Sequence, residues 1–138
     1  MHPKLVEELI AEEVERVRAD GLLRDRVRLE QRGQRVLAHA RRGDAEVVFS
    51  FYGPNYNAEP LQFTVVDGAT LEPLPAQSWP PGLAFGGPHP SLNRTWSCLR
   101  GTYEYHCHSS HVSDDWDQHR YHYDLPTLLA IILNKAGC

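Results

Sequence analysis

The chain has 138 residues, enough for one domain around one sizeable hydrophobic core. Hydrophobic residues make up 41% and charged residues 23%, an ordinary balance for a soluble globular protein. The formal net charge of −4 supplies no basic field, and no apolar run reaches membrane-spanning length, so neither a nucleic-acid partner nor a membrane is expected.

The first predicted element is a helix from Pro3 to Asp20. Leu5, Leu9, Val14 and Val17, with Val6 and Ile10 beside them, make one apolar stripe, and the Glu and Arg residues between them are assigned to water. Pro3 suits the first turn, and Gly21 is a natural stop. The opening Met1-His2-Pro3-Lys4-Leu5 lacks the apolar core of a signal peptide, so a cytoplasmic location is the expectation. From Arg26 the period drops to two: Val27, Leu29 and Gln31 alternate with Arg28 and Glu30 before a turn at Arg32-Gly33. Gln34–Arg41 reads as a second strand, Ala45–Tyr52 as a third and Leu61–Val66 as a fourth. Short turns between them give an antiparallel meander with the first helix on its apolar face.

Asp67 to Pro90 holds Pro73, Pro75, Pro80, Pro81, Pro88 and Pro90, which exclude long regular elements. Trp79 and Phe85 among them mark an ordered covering loop. His89-Pro90-Ser91-Leu92-Asn93-Arg94-Thr95-Trp96-Ser97-Cys98-Leu99 has no regular period and reads as a loop that presents a thiol at the lip of the fold; a small buried Cys is the competing reading. Tyr and His residues fill the stretch to Asp124. Leu125–Lys135 then reads as a buried helix capped by Asp124 or Thr127 and ended by Gly137. This order defines an α+β domain over residues 1–138, with no internal repeat. Three cysteines, Cys98, Cys107 and Cys138, are an odd number and argue for free thiols rather than a disulfide framework. Cys138, at the chain end, is expected to fray.

Three ordered features resemble the ubiquitin-conjugating enzyme family. Tyr56-Asn57-Ala58-Glu59-Pro60, leading into Leu61-Gln62-Phe63, resembles the family's Tyr-Pro-x-x-Pro-Pro segment. His89-Pro90 followed by Cys98-Leu99 resembles its His-Pro-Asn motif and the downstream cysteine that carries ubiquitin. Trp116 followed by Leu125–Lys135 resembles the Trp and helix after its active site. The chain departs from the family in having Ser91 at the Asn position, a longer His-rich stretch between Cys98 and Trp116, and one closing helix. These departures make it most similar to the divergent bacterial branch. The resemblance implies a UBC-like fold: an N-terminal helix on a four-stranded antiparallel meander, a long active-site loop, a His-rich insert and a buried C-terminal helix. It also implies the partners of that branch: a ubiquitin-like modifier, an activating-enzyme-like adenylyltransferase, a target protein and a JAB-type peptidase in the same pathway.

On this resemblance Cys98 is the acyl carrier, since a thiolate is accessible near neutral pH and its ester stays reactive toward nitrogen. No cofactor is required. His89 is expected as an anchor whose ring nitrogen fixes the loop backbone, more than as a base. Asn93, or backbone N–H groups near Cys98, would supply the oxyanion donor that Ser91 is too short to give. Asp115 and Asp117, with Asp114, flank Trp116 and follow His106, His108 and His111; a carboxylate or neutral His among them would take the proton of an incoming amine.

The same histidines support a rival. His106, His108, His111, His119 and His122 with Cys107 are a dense ligand set for a structural, regulatory or hydrolytic zinc, although their spacing matches no familiar zinc pattern. Tyr103, Tyr105, Tyr121 and Tyr123 alternate with them, which also suits a β-hairpin with its tip at Ser109–Gln118. Three functions follow as alternatives: a transferase working through Cys98, a non-catalytic module of the same fold that binds a ubiquitin-like protein, and a zinc protein.

Overall fold

Helix α1 spans Pro3–Ala19 in the computed structural model, which describes residues 2–138. Its N-cap is His2, whose Nδ1 accepts from the Lys4 N–H, and Pro3 loses nothing at a position where an N–H would be unpaired. The stop is made by Asp20 rather than Gly21: its backbone is extended and its carboxylate accepts from the Leu22 and Leu23 N–H groups, a local turn that competes with the next helical bond. The buried stripe is Val6, Ile10, Glu13, Val14 and Val17. Leu5, expected on it, is 55% exposed, and Glu13, expected in water, is buried.

Four strands follow: β1 Val27–Arg32, β2 Arg35–Arg42, β3 Ala45–Tyr52 and β4 Gln62–Val66. They form one antiparallel sheet in the order β1-β2-β3-β4. Turns at Gly33 and Gly43 have positive φ, which glycine adopts without the Cβ strain that most other residues would meet. The register pairs Ala38 with Leu29 and Phe49, so alternate residues share a face. Val36, Ala38, Ala40, Phe49, Phe51, Phe63 and Val65 enter the main core. Phe63 joins Phe49, Phe51 and Trp79 with ring centroids 5.3 to 5.9 Å apart. The other face carries a smaller apolar group, Leu37, Val48 and Val66, with Leu71 against it.

After β4 the Pro-rich stretch folds back over the sheet. Leu74 N–H donates to the Val65 carbonyl, and the Trp79 indole donates to the Leu74 carbonyl. Helix α2 is a single turn, Tyr103–His106, and α3 is Leu125–Ala136. Asp124 caps α3 by accepting from Thr127 N–H, and Gly137 ends it at φ 74. α1 and α3 together pack the main core; Leu128, Leu129, Ile132 and Leu133 are almost fully buried, each burial stabilising the fold by about 1.5–3 kcal/mol. The domain is therefore α+β, an N-terminal helix, a four-stranded antiparallel sheet and a C-terminal helix. Among the described residues no helix is long and apolar enough to cross a membrane.

The expected Tyr/His hairpin is not formed. Thr102 caps α2, His108 caps a 3₁₀ turn at Ser109–His111, and Asp115 caps another at Trp116–Gln118. These side chains satisfy nearby backbone N–H groups locally, so consecutive helical turns win over strand pairing. Cys138 is also tied down, its N–H donating to the Leu133 carbonyl and its carbonyl accepting from Arg26.

Candidate functional site

The loop that carries Cys98 is held from inside by aromatic packing. Trp96 is 1% exposed, stacks on His108 at 5.1 Å and meets the Phe85 ring at 4.9 Å. His89, equally buried, meets the Trp96 ring edge-on at 4.8 Å. Its Nδ1 accepts from the Ser91 and Leu92 N–H groups, which leaves Nε2–H to donate to the Glu104 carbonyl at 2.8 Å. Both ring nitrogens are thus used on the backbone, and His89 anchors the loop. The turn it starts closes with Asn93 N–H on the His89 carbonyl, and Asn93 takes a left-handed φ of 52°, a conformation Asn tolerates well.

Cys98 emerges between two buried neighbours. Ser97 donates its hydroxyl to the Leu83 carbonyl, and Leu99 enters the core, so the side chain between them faces outward. The thiol is exposed and free. Its Sγ lies 3.4 Å from His111 Nε2. Partial burial pushes the thiol above its usual pKa, so at neutral pH Cys98 is chiefly S–H and is placed to donate to His111 Nε2.

His111 is oriented from behind. Tyr105 stacks on it with centroids 3.9 Å apart and planes within 15°. The Tyr105 hydroxyl donates to Asp114, which also accepts from Arg100 Nε at 2.8 Å and pairs with His119 Nε2. These hydrogen bonds hold the Asp114 carboxyl well below the usual carboxylate range. The Asp114 carbonyl accepts from His106 Nδ1, while His106 Nε2 accepts from Gly101 N–H. Burial lowers the His106 pKa and so favours this neutral tautomer. Gly101 itself, at φ 97°, has no room for a Cβ, which would stand 2.6 Å from the Tyr123 ring.

Asp115 and Asp117 remain exposed. Asp115 accepts from Asp117 N–H, and Asp117 faces Arg120 at 3.8 Å. With Glu59, Val112 and Trp116 they line a cavity of about 410 Å³ that reaches His111 and Cys107. The structure therefore joins Cys98 to His111, places Asp115 and Asp117 in the groove that reaches His111, and turns His89 inward. Asn93 is exposed, and its side chain makes no hydrogen bond among the described residues. Among the described residues no three His, Cys, Asp or Glu side chains gather as metal ligands. His106, His108, His111 and His119 each serve a separate hydrogen bond, and His122 is exposed. The zinc expectation has no geometric support. Sequence reasoning named His111 as a possible metal ligand and, with His106 and His108, as a possible base near the thioester, but did not single it out as the partner of Cys98; its 13-residue separation carries no periodic signal. Comparison with protein-family models and with curated proteins finds no match for this chain.

Proposed function

We propose that the chain is a ubiquitin-like-protein conjugating enzyme of UBC-like fold, with Cys98 as acyl carrier. The single observation that carries this reading is an exposed Cys98 thiol on a loop locked from inside, with the His111 imidazole at its sulfur. Cys98 Sγ attacks the activated C-terminal carbonyl of a ubiquitin-like modifier, presented as a thioester on an adenylating activating enzyme. The incoming S–C bond replaces the outgoing one, and the thiol proton passes through His111 to the leaving thiolate. An amine of the target then attacks the same carbonyl, its proton goes to His111 Nε2, and Cys98 leaves as thiolate to be reprotonated by the imidazolium. Glu59, Asp115 and Asp117 in the neighbouring groove suit an approaching ammonium group. Backbone N–H groups around Cys98 serve as oxyanion donors in place of the missing Asn.

The test is thioester trapping. The chain, incubated with its activating enzyme, ATP and modifier, gives an adduct on a non-reducing gel that thiols remove and that Cys98→Ala abolishes. An adduct that survives Cys98→Ala, or none in the wild type, overturns the assignment. Modifier binding without any adduct would identify a non-catalytic module instead.

A further inference from the structure

The open face of the sheet holds a second site, separate from Cys98. There Arg35, Tyr52 and Gln62 stand in one row across β2, β3 and β4, with Leu37, Ser50 and Thr64 in the next. Pro73-Leu74 and Arg94-Thr95 close over the β4 side and leave a cavity of about 220 Å³. Its polar lining includes two guanidinium groups, hydroxyls and an amide, and two internal hydrogen bonds leave donors to give. Arg35 Nη1 donates to Ser50 Oγ at 2.7 Å, which occupies the hydroxyl as acceptor and leaves its O–H to give. Ser50 is only 2% exposed, so that proton has little water to meet. Arg94 Nη2 donates to Gln62 Oε1 at 3.3 Å, which occupies the amide oxygen and leaves the NH₂ group.

Among the described residues no Asp or Glu lines this cavity. The Arg35 guanidinium lies 4.5 Å over the Tyr52 ring and pairs with no carboxylate among the described residues. It is a cation held in place by stacking and one hydrogen bond, with donors still free in the plane of its fork. Fixed positive charge, a donor hydroxyl and a donor amide in a concave site favour an oxyanion and disfavour a cation. Pro73 and Leu74 supply an apolar wall opposite them.

We propose that this cavity binds a small organic oxyanion, a carboxylate or phosphate head on a compact apolar body. Arg35, Ser50 and Gln62 take the head, and Pro73 and Leu74 take the body. The site stands independently of the transferase reading, because none of its polar contacts involves Cys98 or His111.

The experiment is an NMR titration of the isotope-labelled full chain with benzoate, phenyl phosphate, inorganic phosphate and, as a cationic control, benzylamine. Benzoate or phenyl phosphate is expected to give saturable shifts at Ser50, Gln62, Thr64 and Thr95, and benzylamine none. The lower saturating concentration identifies the preferred head group, and a weaker response to inorganic phosphate shows that the apolar wall contributes. Arg35→Gln, which keeps a donor for Ser50 while losing the charge, weakens binding by about tenfold or more. Gln62→Glu, which puts a carboxylate on the half-buried rim, abolishes binding while its spectrum stays that of a folded chain. Shifts that never saturate, that map to Arg41 and Arg42, or that persist in Gln62→Glu overturn the proposal.

Discussion

At Cys98 the neighbouring imidazole acts differently in the two halves of the proposed cycle. Burial holds the thiol above its usual pKa, so the thiolate is the minor form at neutral pH. The rate of acyl loading should therefore climb with pH until the thiol is ionised, and level off above that. Once Sγ is acylated the thiol proton is gone, and in the proposed cycle His111 Nε2 turns to the proton of the incoming amine. His111→Gln keeps a hydrogen-bonding group there but cannot carry a proton away. We expect it to slow discharge of a preformed thioester to an amine by about 10²–10⁴-fold, a general-base-sized loss, with a smaller effect on loading. Single-turnover discharge followed on non-reducing gels separates the two steps. No loss in either step would show that His111 only packs beside the thiol.

Helix α1 shows how an element is wired to its neighbours by one buried charge. Glu13 Oε1 accepts from the Tyr56 hydroxyl and from Leu125 N–H, each at 2.8 Å, and so ties α1 to the turn before β4 and to the start of α3. Burial raises the Glu13 pKa against the lowering effect of these two bonds. A carboxyl raised in the folded state makes its best contribution below its unfolded pKa of about 4.3, and that contribution declines as pH rises through the folded value. Glu13→Gln retains the acceptor oxygen without the charge, so its stability relative to wild type should grow with pH across that interval and then plateau. Glu13→Ala leaves two buried donors unpaired and should cost about 2–4 kcal/mol. Denaturant midpoints over a pH series read both effects. Positions 10, 13, 14 and 17 follow the i, i+3, i+4, i+7 spacing of one helical face, so the burial of Glu13 was legible from spacing alone; assigning every charged residue to water concealed it. Alternation in Val27–Leu29 and Val36–Ala40 revealed the strands for the same reason that it failed between Tyr103 and Tyr123. A period of two reports strand structure when a partner strand exists to pair with. In the second stretch Thr102, His108 and Asp115 cap helical turns instead, and the Cys98–His111 contact they create has no sequence period to betray it.

Across the whole molecule, Glu104 ties the sheet edge to the cysteine loop. Its Oε1 accepts from Phe63 N–H on the outer edge of β4, its Oε2 pairs with Arg94 within the loop, and its carbonyl receives His89 Nε2–H. The side chain is 1% exposed, against 40% for Arg94, so the two partners respond unequally to loss of the other. Removing Arg94 strands a carboxylate in the interior, whereas a guanidinium deprived of Glu104 can still reach water. Arg94→Ala should therefore destabilise the fold by about 3–5 kcal/mol at neutral pH. Burial already raises the Glu104 pKa, and loss of Arg94 raises it further, so protonation relieves the penalty. The deficit of Arg94→Ala relative to wild type should shrink as pH falls through that raised value, and Arg94→Ala combined with Glu104→Gln should recover much of the loss at neutral pH, since a neutral amide needs no counter-charge and still accepts from Phe63. Urea unfolding of the single and double variants at neutral and mildly acidic pH decides the point. A penalty that is independent of pH and undiminished in the double variant would mean that Arg94 stabilises the loop by packing alone, with the ion pair contributing nothing to the link between sheet and thiol.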